Sequence, residues 1–160
     1  MIQGHDWPNV TALIWVKTIK IGELRVKTRI SLLPRMGILR PYTDTKPLHI
    51  VEADLAEPGP DEVLVKIEAS GVCFTDVHIM KGEHASPNPL PLIMGHEGVG
   101  RVVELGSDGG RLKVGDRVGI GYVFGACGHC RECLTGGENY CPDFDATGFS
   151  VSGCFAEYVA

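Results

Sequence analysis

Six cysteines and six histidines carry most of the reactive chemistry in this chain of 160 residues, and the cysteines are clustered. Cys127, Cys130, Cys133 and Cys141 form C-x2-C-x2-C-x7-C in the run ACGHCRECLTGGENYCP. Four thiolates on one short loop can close around a tetrahedral ion at about 2.3 Å per sulfur, with two-residue spacers turning successive sulfurs inward. A zinc ion accounts for all four. Two rival chemistries use only part of the pattern. The pair Cys127 and Cys130 has dithiol redox spacing, but that chemistry calls for two cysteines between a strand and a helix. An iron–sulfur run shares the C-x2-C-x2-C start and the final Cys-Pro, yet its last spacer is three residues where this one is seven. With every position filled by protein, zinc here would be structural and would hold the loop in shape.

A second constellation lies upstream, with Cys73 in GVCFTDVH and His96 in GHEGVG. Either residue alone is more often core or surface than ligand. Their surroundings argue otherwise, because Thr75, Asp76 and His78 add a hydroxyl, a carboxylate and an imidazole within one short segment. A metal-bound histidine commonly needs a carboxylate to fix its tautomer, and Asp76 could supply it. A hydroxyl beside a metal-bound oxygen, backed by an imidazole, is what a proton relay to solvent requires.

Composition limits the partners. Twenty acidic against fifteen basic side chains give a net charge of −5, which argues against nucleic acid or anionic lipid as a partner. No apolar run approaches the roughly 18–20 residues of a membrane span. The charge is uneven: residues 1–35 hold six Lys/Arg against two acids, and residues 36–160 hold nine against eighteen. Only Gly4 and Gly22 of the 21 glycines fall in the first stretch. We read residues 1–35 as an extension of uncertain structure, with Met36 as an alternative start, and residues 36–160 as the domain proper. The apolar run at residues 10–16 lacks the basic flank and cleavage site of a secretory signal, while the Lys/Arg content weakly suggests an organellar transit segment. Clustered cysteines without a secretory signal point to metal binding in the cytoplasm.

The elements that must position these residues are mostly strands. Residues 48–53, 62–69, 99–105, 116–120 and 155–159 carry strand patterning, the second alternating apolar and polar residues at period 2. Pro58, Gly59, Pro60 and Asp61 form a turn that predicts a hairpin between the first two. Residues 74–80 are expected to form about two amphipathic helical turns, and a loop holding Pro87, Pro89 and Pro91 follows. Many short strands with Gly/Pro punctuation predict a mostly β fold, a small barrel or sandwich.

The segments GVCFTDVH, PLIMGHEGVGRVV, KVGDRVGI and the four-cysteine loop, in this order, resemble the N-terminal catalytic domain of zinc-dependent alcohol dehydrogenases of the medium-chain dehydrogenase/reductase superfamily. The stretch through TGFSVSGCFAEY is most similar to the yeast and bacterial tetrameric type. The resemblance runs from about Leu48 to Ala160. It implies a GroES-like, partly open β-barrel with short helices, a catalytic zinc and a structural zinc. By position, Cys73 and His96 would be catalytic zinc ligands, Glu97 a nearby or exchangeable carboxylate, and Asp76 the group that orients His96. Thr75 would accept the alcohol proton and His78 would pass it outward. The implied reaction oxidises a small alcohol to an aldehyde or ketone by hydride transfer to NAD or NADP, in a homo-oligomeric enzyme whose zinc serves as Lewis acid.

Departures from the family pattern matter equally. The third catalytic ligand, normally a downstream cysteine, is expected beyond residue 160. Cys154 comes too early and is expected to be an inert core residue. Phe74 stands where relatives often carry a basic residue for the cofactor pyrophosphate, and His84 where many carry a substrate-pocket tryptophan. Gly119, Gly121 and Gly125 are the nearest approach to G-x-G-x-x-G, but they run into the cysteine loop without opening a helix, so no Rossmann cofactor domain is expected in this chain. The chain resembles a catalytic domain cut before its cofactor domain and inactive alone. A zinc-stabilised binding module without chemistry is the alternative reading.

Overall fold

A computed structural model of the chain describes residues 20–21, 24–25, 27–34, 48–54, 57–84, 91–108 and 110–160. The apolar run at residues 10–16, the transit-segment reading, Pro87 and Pro89 lie outside them.

Two antiparallel sheets organise the fold. One has strand order β4-β3-β6, with β3 at Lys27–Leu33, β4 at His49–Asp54 and β6 at Leu92–Ile93. The other has order β11-β5-β7-β8, with β5 at Val63–Ser70, β7 at Gly98–Leu105, β8 at Arg117–Ile120 and β11 at Tyr158–Val159. Short ladders pair β1 (Lys20–Ile21) with β2 (Leu24–Arg25) and β9 (Val123–Gly125) with β10 (Asp145–Ala146). The helical elements are α1 (Phe74–Lys81), α2 (Arg131–Leu134) and a 3-10 turn at Glu138–Tyr140. The described residues are thus mostly β, with no closed barrel and no doubly wound parallel sheet among them.

The segment before β11 stitches the sheets together. Ser31 N donates to Phe155 O at 2.7 Å, Glu157 N donates to Arg29 O at 3.0 Å, and Ile30 bridges Ala156. Leu33, Ile79, Leu92 and Met94 form the buried cluster against which Leu48, Met80, Phe149 and Phe155 pack. On β7 the period-2 pattern reads cleanly: Gly98, Gly100 and Val102 are buried, while Val99, Arg101 and Val103 are exposed.

Three expectations need correction. Strands at 48–53 and 62–69 exist as β4 and β5, but they form no hairpin. β4 pairs with β3, and β5 pairs with β7 and β11. The Pro58–Asp61 turn instead docks on the end of β7, where Gly106 N reaches Glu62 O at 2.9 Å and Asp108 N reaches Pro60 O at 2.7 Å. Second, β3 lies upstream of Met36 and places Ile30 and Leu33 in the core, so the folded unit begins before the change in composition. Third, α1 has no apolar stripe: its buried residues are Asp76 and Ile79, and Phe74 is exposed. An eight-residue helix is marginal by itself, so packing holds it, with Ile79 contributing about 1.5–3 kcal/mol on burial. No helix among the described residues is long and apolar enough to cross a membrane.

Candidate functional site

Cys73 sits at the N-cap of α1, where extended backbone (φ −92°, ψ 156°) turns the chain out of β5. Its N–H donates to Asp76 Oδ2 at 2.9 Å, so the carboxylate three residues on closes the first helical turn. Thr75 follows, with its Oγ1 3.5 Å from Cys73 Sγ. Thr75 and His78 stand at i and i+3 on α1 and share a face, while Asp76 and Ile79 share the buried one.

His96 comes from the segment between β6 and β7 and is buried, with its ring edge-on to Tyr122 at 5.3 Å between centroids. Its Nδ1 lies 3.7 Å from Asp76 Oδ1. Both atoms are buried and without a hydrogen-bond partner. Burying polar atoms costs free energy unless something satisfies them, and an imidazole drawn toward a cation by its other nitrogen would close this gap.

Glu97 is exposed beside them, and Cys73, His96 and Glu97 each offer a ligand atom within 4.8 Å of the others. The backbone makes room for that carboxylate. A Cβ on Gly71 would come within 2.2 Å of Glu97 Oε2, and Gly71 N donates to Glu97 O at 2.9 Å. The three expected residues therefore converge, from the β5–α1 junction and the β6–β7 junction. Cys154 does not join them. It is buried against Gly98, where a Cβ would meet its sulfur at 2.6 Å, and burial pushes its thiol up to about 11.

The four-cysteine loop is a second cradle, with all four sulfurs within 4.8 Å of one another. Sγ separations of 3.9 Å for Cys127 and Cys133, and of 3.5 Å for Cys130 and Cys133, bracket the ~3.8 Å edge of a tetrahedron with 2.3 Å metal–sulfur bonds. All six cysteines are free thiols. Backbone amides point at the sulfurs: Cys130 N at Cys127 (3.3 Å), Cys133 N at Cys130 (3.4 Å) and Cys127 N at Cys141 (3.4 Å). Amides of His129 and Cys130 hold the Cys127 thiol down to about 6. Gly128, at φ 73°, supplies the left-handed turn that the first spacer needs.

His78 lies on the same α1 face as Thr75 but is partly exposed, and its Nδ1 contacts Glu83 Oε2 closely. Glu83 belongs to no motif noticed in the sequence. The signal available for it was Gly82 directly after the helix, which returns the chain past His78.

Comparison with known proteins gives a consistent result. Residues 59–160 match the family model for the alcohol dehydrogenase GroES-like domain. An alcohol dehydrogenase of Rhizobium meliloti (strain 1021) is 53% identical over 114 residues, covering 71% of this chain and 33% of that protein. The cobalt- and zinc-bound thermostable alcohol dehydrogenase of Pyrobaculum aerophilum superposes with a TM-score of 0.72 at 32% identity, covering 84% of this chain and 39% of that one. An NADP-bound protein from Sinorhizobium meliloti 1021 gives a TM-score of 0.72 at 35% identity, covering 84% and 36%. The chain spans about a third of the length of the curated relatives it matches.

Proposed function

Because the chain belongs to the family of alcohol dehydrogenase GroES-like domains, we propose that it is the zinc-holding catalytic portion of an alcohol dehydrogenase that passes hydride from a small alcohol to NAD or NADP. The convergence of Cys73, His96 and Glu97 beside the Thr75 hydroxyl carries this reading. Those three residues would hold the catalytic zinc, and Cys127, Cys130, Cys133 and Cys141 the structural one. Zinc at the first site supplies Lewis acidity toward an alcohol oxygen.

The remaining roles belong to side chains. Asp76 binds the Cys73 amide through Oδ2 and turns Oδ1 toward the His96 ring 3.7 Å away, so it is placed to orient that imidazole when its other nitrogen ligates a metal. Thr75 accepts the hydroxyl proton of the alcohol beside Cys73, and His78, one helical turn on, carries it toward solvent. Tyr122 meets the ring of His96 edge-on. The hydride acceptor is a nicotinamide nucleotide held against this portion. We place the enzyme in the cytoplasm as a homo-oligomer, by analogy with the tetrameric type.

The test is alcohol-dependent reduction of NAD or NADP by the protein extended to the length of its relatives. Activity that is lost on chelation and restored by zinc supports the reading. A well-folded, zinc-loaded extended protein inert toward primary and secondary alcohols with both nucleotides would overturn it in favour of a zinc-stabilised binding module.

A further inference from the structure

The His78 ring is held on three sides by side chains of its own turn. Nδ1 is in short hydrogen-bonded contact with Glu83 Oε2. The Phe74 ring meets it edge-on at 4.7 Å between centroids, and the His84 ring at 5.3 Å.

The end of the helix brings Glu83 there. Gly82 is left-handed at φ 71°, Gly82 N donates to Ile79 O at 2.9 Å, and Glu83 N donates to His78 O at 3.0 Å. These are the two bonds of a Schellman ending, in which the second residue after the helix returns over its last turn. Glu83 is thus tied to His78 through backbone and side chain alike.

We propose that Glu83 is a positioning residue that fixes the tautomer and the rotamer of His78. Its carboxylate accepts from Nδ1–H, which leaves the Nε2 lone pair as the basic nitrogen of the neutral ring. The proposal rests on reading His78 as the proton carrier. In that step a proton arriving from the alcohol side bonds to Nε2, giving an imidazolium whose charge faces the Glu83 carboxylate. Loss of the same proton from Nε2 to water restores the neutral ring, and Nδ1–H stays on Glu83 throughout. Without Glu83, the ring is free to carry its proton on Nε2, where it cannot accept another, and to turn away from the path.

Nitrogen-15 imidazole spectra of the chain, with zinc bound, test this directly. The wild type is expected to show His78 protonated on Nδ1. Glu83→Ala should move the proton to Nε2, whereas Glu83→Gln, whose amide oxygen still accepts, should keep it on Nδ1. Zinc content and the backbone spectrum outside residues 74–84 should be unchanged in both variants, which separates the effect from misfolding. In the protein extended to its relatives' length, Glu83→Ala should lower kcat by roughly 10-fold with KM nearly constant, less than the ~100-fold or more expected for losing a general acid–base group outright. It should cost nothing further in a His78→Ala background, because the effect passes through that ring. An Nε2 proton in the wild type, or an Nδ1 proton that persists in Glu83→Ala, overturns the proposal. A tautomer that follows Glu83 while His78→Ala turns over at the wild-type rate instead overturns the relay.

Discussion

His96 Nδ1 and Asp76 Oδ1 face each other at 3.7 Å in the interior, and neither atom has a hydrogen-bond partner. The separation is too long for a hydrogen bond and short enough that a small ring rotation would make one. Asp76 Oδ2 is already committed to the Cys73 amide at 2.9 Å. One carboxylate therefore spans the two segments that carry the proposed catalytic ligands. Asp76→Ala is expected to weaken zinc binding at Cys73 and His96 by about 10–100-fold, the usual cost of removing a carboxylate behind a ligating imidazole. Asp76→Asn, which keeps an acceptor for the Cys73 amide, should lose less. Competition against a graded chelator measures both.

Gly71 and Glu97 are in backbone and side-chain contact, and a methyl group at residue 71 has no room while the carboxylate holds its position. Gly71→Ala should push the exposed Glu97 carboxylate aside and destabilise the fold by only about 0.5–1 kcal/mol, because the nearest atom is the far end of a flexible side chain. Much of that loss should be recovered in the Glu97→Ala background, which removes the carboxylate contacts and keeps the Cβ contact at 3.1 Å. A thermal-unfolding cycle over the four proteins reads the coupling.

Glu157 joins the sheets through Arg29. Its Oε2 accepts from Arg29 N at 3.0 Å, and its Oε1 accepts from Arg29 Nε at 2.8 Å. These hydrogen bonds hold the Glu157 carboxyl below its ordinary value of 4.5. A depressed carboxylate stabilises the fold above its unfolded value, and that contribution fades as pH falls through the lower folded value. Wild type should therefore exceed Glu157→Gln in urea midpoint at pH 7, with the gap closing as pH drops below 4.5. Both side chains are solvent-exposed, so salt should also narrow the gap.

Much of this arrangement was legible in the sequence because the informative patterns are local. The spacing of Cys127, Cys130, Cys133 and Cys141 lies within one loop, and Cys73 to His78 within one helical turn and its cap. The alternation on β5 also stood out, although that strand buries the adjacent Leu64 and Val65 rather than one clean face. Partner choice was not legible: β4 lies beside β3 rather than β5, and a period-2 pattern says which face is buried without saying which strand lies alongside. β3 was hidden because its ladder residues include Lys27, Arg29, Thr28 and Ser31, within a segment whose basic composition masked Ile30 and Leu33. α2 has four residues, too few to show a period, and forms around Cys130 as its N-cap. Glu83 escaped notice because its placement depends on how Gly82 ends the helix.

Zinc stoichiometry of the purified chain tests the central claim, two separate zinc sites built from these residues, most directly. Titration against a chelator should reveal one tightly held and one weaker equivalent in the wild type. His96→Ala should lose the weaker equivalent and keep the tight one. Cys130→Ser should lose the tight one, with increased amide exchange at residues 127–141. A coloured iron centre, or a zinc content that His96→Ala leaves unchanged, would contradict the account.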